Sequence, residues 1–203
     1  MPGARAVLWD IGNVLADWSP RRLYSKLLTS DAAVDEFLGG VCTMAWHQAH
    51  DRGVPMADNR RALIDAHPDK AELIEAWETR WPDMFDGWIT GMDVLVAELE
   101  RAGIPQYALT NYPAEKIAHL YETFAPIARF RDVIVSADEG VVKPDPAIYA
   151  ITRGRIGLDP AEVIFLDDRP ENVTAARAAG FQAERFTGEP AARATLRACG
   201  LPV

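Results

Sequence analysis

The stretch Ala6-Val7-Leu8-Trp9-Asp10-Ile11-Gly12 contains the pattern on which the fold depends. Four apolar residues are followed at once by an acidic residue and, soon after, a glycine, which is typical of a buried β-strand that ends in a loop. Val163-Ile164-Phe165-Leu166, followed by Asp167 and Asp168, has the same pattern near the other end of the chain. We therefore expect two buried strands that each end at carboxylates.

The part of the chain after Gly91 alternates between helical and strand patterns. Met92 to Arg101 is predicted to be a helix with Val94, Leu95 and Leu99 on one face. Further strands are predicted at 106–109, 133–135, 163–166 and 182–186, and further helices at 114–123, 146–155, 171–179 and 190–198. Such alternation predicts a parallel sheet with helices on both faces, so the fold class is α/β with a doubly wound sheet.

From about Pro20 to Trp88 the pattern is helical and amphipathic, with no convincing strand. Pro20 is suited to the first turn of a helix, and glycines and prolines divide the rest into short helices. The first strand must pair with the later strands across this insertion. We predict a core of residues 1–16 and 89–203 that carries a helical cap of residues 17–88. The cap tryptophans are expected to pack against the core (Trp46, Trp77, Trp81 and Trp88).

Composition excludes several classes of protein. Of 203 residues, 49% are hydrophobic and 25% charged, which is ordinary for a soluble globular chain, and no apolar run approaches the ~20 residues of a membrane span. A net charge of −9, with no basic cluster beyond Arg60-Arg61, argues against nucleic acid as a partner. An acidic residue at position 10 comes too early for a secretory leader, so we expect a cytoplasmic location. We expect the protein to be a monomer or a homodimer.

Polar residues follow the strands that are predicted to form the sheet. Asp10 follows the first strand; the later strand ends carry Thr110-Asn111, Ser136 and Asp167-Asp168. Ligands of such sheets bind in the crevice beyond the carboxyl ends of the strands. Because converging acidic groups repel each other unless a cation lies between them, the sequence predicts a metal site at this edge.

Four segments resemble motifs of the haloacid dehalogenase superfamily, and they occur in the family's order. They are Trp9-Asp10-Ile11-Gly12-Asn13-Val14-Leu15, Ala108-Leu109-Thr110-Asn111, Val142-Lys143-Pro144-Asp145-Pro146-Ala147-Ile148-Tyr149 and Phe165-Leu166-Asp167-Asp168-Arg169-Pro170-Glu171-Asn172. Together they span almost the whole predicted core, and the helical insertion falls where the family places its cap. The resemblance implies a Rossmann-like core and a hydrolase.

The resemblance also implies roles for the acidic residues. Asp10 attacks phosphorus and forms an aspartyl-phosphate, which divides a difficult hydrolysis into two displacements. Mg²⁺ is held by the Asp10 carboxylate, the Gly12 backbone carbonyl and Asp168, with Asp167 close by or bridging through water. The ion lets a carboxylate approach an anionic phosphate and stabilises the charge of the transition state.

Other residues are implied to contact the phosphate of a small phosphorylated metabolite. Thr110 donates its hydroxyl to a phosphoryl oxygen, and the Asn111 backbone N–H is a second donor. Lys143 supplies a point charge for both the phosphate and Asp10. Asn172, four residues after Asp168, orients the metal ligands.

The family's second aspartate, two residues after the nucleophile, is replaced by Gly12. Family members with glycine there include a bacterial group that acts on glucose 1-phosphate. Its DxGNV loop and its cap are similar to Asp10–Val14 and to the stretch His47–Gly53. The aspartate normally protonates the leaving oxygen and then activates water, so its loss favours substrates with a good leaving group, such as anomeric sugar phosphates. A pair like His47 and His50 is commonly a solvated or core-edge pair. The alternative gives His47 a contact with the substrate and the missing acid–base role.

Two alternatives to a phosphatase follow from the same residues. Metal-free 2-haloacid dehalogenases of the superfamily also lack the second aspartate, but their fourth motif lacks the pair Asp167-Asp168. A non-catalytic interaction module on this fold has only the loss of the aspartate at Gly12 in its favour. We therefore expect a magnesium-dependent phosphatase of small phosphomonoesters, sugar phosphates in particular.

Overall fold

The computed structural model describes residues 3–203, and within them five parallel strands form the central sheet in the order β5-β4-β1-β6-β7. Two further strands, β2 and β3, pair separately and antiparallel. The strands are β1 (Ala6–Trp9), β2 (Ala16–Trp18), β3 (Phe85–Trp88), β4 (Gln106–Thr110), β5 (Asp132–Val135), β6 (Val163–Asp167) and β7 (Gln182–Arg185).

Helices surround this sheet. They are α1 (Pro20–Tyr24), α2 (Asp31–Gly40), α3 (Met44–Asp51), α4 (Met56–Ala66), α5 (Ala71–Thr79), α6 (Met92–Arg101), α7 (Ile117–Thr123), α8 (Ser136–Glu139), α9 (Pro146–Ile156), α10 (Pro170–Ala178) and α11 (Glu189–Ala198). Short 3₁₀ turns occupy Pro68–Lys70, Trp81–Met84, Ala114–Lys116, Ala125–Arg129 and Pro160–Glu162. No helix in the described part of the chain is both long and apolar enough to cross a membrane.

The central strand β1 is buried on both faces. Successive side chains of a strand point to opposite faces. Val7 and Trp9 therefore pack in one hydrophobic cluster, which includes Leu95 of α6, and Leu8 packs in a second cluster, which includes Ile148 of α9. Helices thus cover both faces, and the predicted doubly wound α/β fold is confirmed.

The order of the strands determines where a ligand site forms. The chain runs from β1 to β4 and β5 on one side, and from β6 to β7 on the other. The loops after β1 and β6 therefore diverge, and a crevice opens between neighbouring strand ends at this point. Trp9 is paired with Leu166, and the Asp10 N–H donates to the Leu166 carbonyl at 2.9 Å, so Asp10 lies beside Asp167.

Two details of the predicted pattern are wrong. Val94 does not share the buried face of α6: it is 50% exposed, whereas Leu95 and Leu99 are fully buried. At 100° per residue, Val94 and Leu99 lie about 140° apart on the helix, so both cannot face the sheet.

The prediction of no strand between Pro20 and Trp88 is also wrong, because β3 lies there and pairs with β2. Asp86 and Gly87 are poor strand formers, and Gly87 has a φ of +80°. The strand exists because its partner, about 70 residues earlier, satisfies its backbone groups, which no local pattern shows. This pairing places the segment that enters the helical insertion beside the segment that leaves it. The division into a core of 1–16 and 89–203 and a cap of 17–88 stays a prediction.

Candidate active site

Asp10 lies at the carboxyl end of β1, in the crevice between β1 and β6. Its Oδ1 accepts the Ile11 N–H at 2.7 Å and lies 2.8 Å from the Lys143 Nζ. The residue is only 7% exposed. Burial raises the pKa of its carboxyl, Lys143 opposes this effect, and the carboxylates of Asp167 and Asp168 raise it further. A cation beside Asp10 would act in the same direction as Lys143 and favour the charged carboxylate.

Lys143 is buried between two carboxylates. Its Nζ lies 2.8 Å from Asp10 Oδ1 and 2.7 Å from Asp167 Oδ2. Burial acts to lower the pKa of the ammonium, but Asp10 and Asp167 outweigh it and hold the pKa above its usual value. The side chain of Asn111 fixes the Lys143 backbone: Oδ1 accepts its N–H at 2.8 Å, and Nδ2 donates to its carbonyl at 3.1 Å. The structure thus brings Asp10, Lys143 and Asn111 together.

Asp167 is fully buried, and protein donors occupy both of its oxygens. Oδ1 accepts the Arg169 N–H at 2.8 Å, Oδ2 accepts Lys143, and the Asn172 Nδ2 lies 3.0 Å from each oxygen. These bonds hold Asp167 in place and make it a group that orients Lys143. Its predicted contact with the metal, directly or through water, stays a prediction.

The acidic cluster suits a small divalent cation. One carboxylate oxygen each from Asp10, Asp167 and Asp168 lies within 4.8 Å of the others. Two oxygens on opposite sides of Mg²⁺ are about 4.2 Å apart, given Mg–O distances of 2.0–2.1 Å, so small adjustments suffice. Burial and the charge of Asp167 raise the pKa of Asp168, as expected for carboxylates that lack a counter-charge.

A second observation favours a hydrated cation here. Asn172 Oδ1 is buried and has no hydrogen-bond partner among the described residues. Asn172 lines the same cavity as Asp168. A water bound to a metal is a donor that such an oxygen can accept. Gly12 lines the same cavity, and its predicted carbonyl ligand stays a prediction.

A cavity of about 350 Å³ extends from these groups towards the cap helices. The core contributes Asp10, Gly12, Asn111, Lys143 and Asp168, and the insertion contributes aromatic and apolar side chains (Trp18, Met44, Trp81 and Phe85). Such a volume is near the small end of the ~300–1,000 Å³ typical of ligand pockets. The cavity therefore has a charged end beside Asp10 and a less polar end formed by aromatic and apolar side chains.

His47 is where the sequence places it, on α3 together with His50, and it lines the cavity. Thr43 begins this helix, with its Oγ1 accepting the Trp46 N–H at 3.1 Å. His47 is 4% exposed and stacks on Trp18 at 5.5 Å between ring centroids. Burial lowers its pKa to about 3, with His50 acting in the same direction. His47 is therefore a neutral group of the cavity wall.

Among the predicted site residues, Thr110 and the fully buried Asp167 do not line the cavity. Thr110 ends β4 opposite Val135, is 1% exposed, and does not line the cavity, whereas Asn111 does. Its predicted contact with phosphate stays a prediction.

Sequence reasoning missed several residues that line the site. Asp51 is four residues after His47 and therefore on the same face of α3, a spacing that is visible in the sequence. Trp18 and Tyr112 also line the cavity. Their only signal is proximity in sequence to the predicted strand ends.

Comparison with known proteins places this geometry among hydrolases. A family model of haloacid dehalogenase-like hydrolases matches residues 4–180. A sesquiterpene phosphatase of Aspergillus oryzae is 37% identical over 95% of this chain and 95% of its own length. A phosphoglycolate phosphatase of Yersinia pseudotuberculosis is 36% identical over 87% of this chain and 78% of its own length.

Solved structures agree on the fold. A haloacid dehalogenase family enzyme from Bacteroides thetaiotaomicron, in complex with magnesium and inorganic phosphate, superposes with a TM-score of 0.72. The match has 18% identity and covers 92% of this chain and 96% of that one. The L-2-haloacid dehalogenase from Xanthobacter autotrophicus superposes with a TM-score of 0.65 at 18% identity, over 98% of this chain and 85% of that one.

Proposed function

Because the chain belongs to the haloacid dehalogenase-like hydrolases, we propose that it is a magnesium-dependent phosphatase of small phosphomonoesters. The observation that carries the proposal is the cluster of Asp10, Asp167 and Asp168 around the single ammonium of Lys143. Three carboxylates and one ammonium leave the site negative, so an anionic substrate needs a cation to approach. Phosphatases among the similar proteins support the same reaction class.

In this proposal Asp10 is the nucleophile. Its free oxygen attacks phosphorus, the bond from phosphorus to the leaving oxygen breaks, and an aspartyl-phosphate forms. Mg²⁺ held by Asp10, Asp168 and the Gly12 carbonyl supplies charge neutralisation of the phosphoryl group. Lys143 keeps Asp10 oriented and charged, and Asp167 keeps Lys143 in place. Water then attacks the phosphoenzyme and regenerates the carboxylate.

Sugar phosphates are the first proposed class of substrate. The cavity offers amide side chains that sugar hydroxyls can bind, namely those of Asn13 and Gln48. Trp18 and Trp81 present aromatic rings in the same cavity, on which a sugar ring can stack. Membership of the narrower group that acts on glucose 1-phosphate, and a cytoplasmic location, also stay predictions.

A terpenoid monophosphate is the second candidate. The aromatic and apolar wall formed by Trp18, Met44, Trp81 and Phe85 suits an apolar chain as well as a sugar ring. The similarity to a sesquiterpene phosphatase over nearly the full length of both chains favours this class. Comparing kcat/KM for glucose 1-phosphate and farnesyl phosphate separates the two. A tenfold preference corresponds to about 1.4 kcal/mol of differential transition-state stabilisation.

The reaction class is tested with p-nitrophenyl phosphate. We expect hydrolysis with Mg²⁺, loss of activity with EDTA, and a loss of at least about a thousandfold in Asp10→Asn. Asp138→Asn, which removes an exposed carboxylate on α8, is the matched control and is expected to keep full activity. Chloride release from 2-chloropropionate that survives EDTA would instead establish a dehalogenase. Equal, negligible rates for wild type and Asp10→Asn would favour a non-catalytic module.

A further inference from the structure

Asp51 is a buried carboxylate in the cavity that the mechanism above does not use. It is the last residue of α3, is 6% exposed, and lines the same cavity as Asp10. Its Oδ1 is buried and has no hydrogen-bond partner among the described residues. Because a buried polar atom without a partner costs free energy, a proton on this carboxyl or a donor from a ligand would stabilise it.

The core holds Asp51 firmly at this position. The Ser136 Oγ donates to the Asp51 carbonyl at 2.6 Å and accepts the Tyr112 N–H at 3.1 Å. Gly53 follows with a φ of +91°, and a Cβ on it would lie 2.7 Å from the Ala137 carbonyl oxygen. The end of α3 therefore packs closely against the segments that follow β4 and β5, at the same edge of the sheet as Asp10.

A chain of hydrogen bonds fixes the tautomer of His47, whose side chain lies beside Asp51. Asn59 Nδ2 lies 3.0 Å from the Trp46 carbonyl, which can only accept, so this atom is the amide nitrogen and also donates to His50 Nε2 at 2.8 Å. His50 then carries its proton on Nδ1 and donates to His47 Nδ1 at 3.3 Å. The His47 proton is left on Nε2, which is 3.5 Å from Asp51 Oδ1.

Gly12 makes a proton donor from elsewhere necessary. A Cβ at this position would have no atom within 4 Å, so the side chain that is missing here leaves open space in the cavity. The other titratable groups facing the cavity are already engaged or neutral. Lys143 is bound to two carboxylates, and His47 is neutral. Burial raises the pKa of the Tyr112 hydroxyl, which makes it a poor acid. Asp168 is assigned to the metal, and Arg169 is paired with Glu171.

We propose that Asp51, reaching in from the cap, is the acid and base that replaces the aspartate missing at Gly12; the inference rests on the proposed phosphatase activity. As Asp10 bonds to phosphorus, the electron pair of the breaking bond goes to the leaving oxygen, which takes the proton of the Asp51 carboxyl. In the second half, Asp51 takes a proton from the attacking water. The bond from Asp10 to phosphorus then breaks, and its electron pair returns to the Asp10 carboxylate.

The surroundings suit this role. Burial raises the pKa of the Asp51 carboxyl to about 7, against the opposing charges of Lys143 and Arg52, which places both protonation states within reach at neutral pH. The titratable groups that face it are His47 and Arg52 near the end of α3, Lys143 before α9 and Tyr112 after β4.

Asp51→Asn tests the proposal, with Asp138→Asn as the matched control. For an alkyl phosphate such as glycerol 1-phosphate, whose leaving oxygen needs a proton, we expect kcat/KM to fall about 10²–10⁴-fold. For p-nitrophenyl phosphate, whose leaving group needs none, we expect a fall of less than about tenfold. An equal fall for both substrates, or no fall, would overturn the role of Asp51 while leaving the phosphatase intact. A wild type that hydrolyses neither substrate would instead overturn the proposed function.

A measurement on the wild type keeps the proposal testable if Asp51→Asn does not fold, and a double variant tests it further if Asp51→Asn does fold. In the wild type, the rate for the alkyl phosphate relative to that for p-nitrophenyl phosphate is expected to decline as pH rises above about 7, because Asp51 loses its proton. A ratio that is independent of pH between 6 and 9 speaks against the proposal. The double variant Gly12→Asp with Asp51→Asn is expected to hydrolyse the alkyl phosphate at least tenfold faster than Asp51→Asn alone. If Gly12→Asp alone is active but the double variant shows no such recovery, the result contradicts the proposal.

Discussion

Replacing Lys143 by methionine is expected to destabilise the protein by about 3–5 kcal/mol, because it leaves buried carboxylates without their counter-charge. The ammonium lies 2.8 Å from Asp10 and 2.7 Å from Asp167, and these side chains are at most 10% exposed. At an effective dielectric constant of about 20, each pair attracts by about 6 kcal/mol. Much of this attraction offsets the cost of burying the charges, which is why the expected loss is smaller than the sum.

Lys26 provides the matched control for this prediction. Its Nζ lies at the same distance, 2.8 Å, from Asp83, but the two side chains are 48% and 33% exposed. Solvent screening limits such a pair to about 0–1 kcal/mol, so Lys26→Met is expected to change stability by less than 1 kcal/mol. Urea unfolding at pH 7.5, with equal slopes for all three proteins, measures both values. Equal losses in the two variants would show that burial does not strengthen the ion pairs of Lys143.

Three further predictions follow. Gly140 has a φ of +70° and open space around a Cβ, so Gly140→Ala is expected to lower the free energy of unfolding by about 1–2 kcal/mol. Gly53→Ala is expected to lower it by about 1–3 kcal/mol more, because its Cβ would clash with the Ala137 carbonyl oxygen. Equal losses in urea unfolding would contradict the close packing of α3 on α8. His47 stays neutral in the folded state down to about pH 3 but titrates near 6.5 when unfolded, so acidification favours the unfolded state. Between pH 6.5 and 5, the wild type should therefore lose about 2 kcal/mol of stability more than His47→Phe, and parallel pH curves would refute this. Asp168→Asn is expected to raise the Mg²⁺ concentration that gives half-maximal activity at least about tenfold. An unchanged concentration would show that Asp168 is not a metal ligand.

The strand ends show how far local sequence carries a prediction. Asp10 and Asp167-Asp168 were placed at the ends of buried strands from a few neighbouring residues, and the structure has them there. This success has a local cause, since an apolar run that stops at a carboxylate fits few positions in an α/β fold. The same reasoning placed Ser136 at a strand end but did not reveal its bond to the Asp51 carbonyl, 85 positions away.

Errors of prediction also have identifiable causes. Val94 was assigned to a buried face because it is apolar, but the rotation of the helix places it in solvent. Phe85–Trp88 was assigned to the helical insertion because its own residues do not favour a strand, and only pairing with Ala16–Trp18 makes it one.

The sequence by itself determined the alternation of strands and helices, the carboxylates at strand ends and the family to which the chain belongs. These properties depend on periodicity, turn chemistry and motifs, which act over a few residues. Only the tertiary structure decided that β1 lies between β4 and β6, that Lys143 bridges Asp10 and Asp167, and that Asp51 and Gly12 line the same cavity. Those contacts join residues that are distant in sequence, and they depend on how whole elements pack and exclude water, which no short stretch of chain encodes.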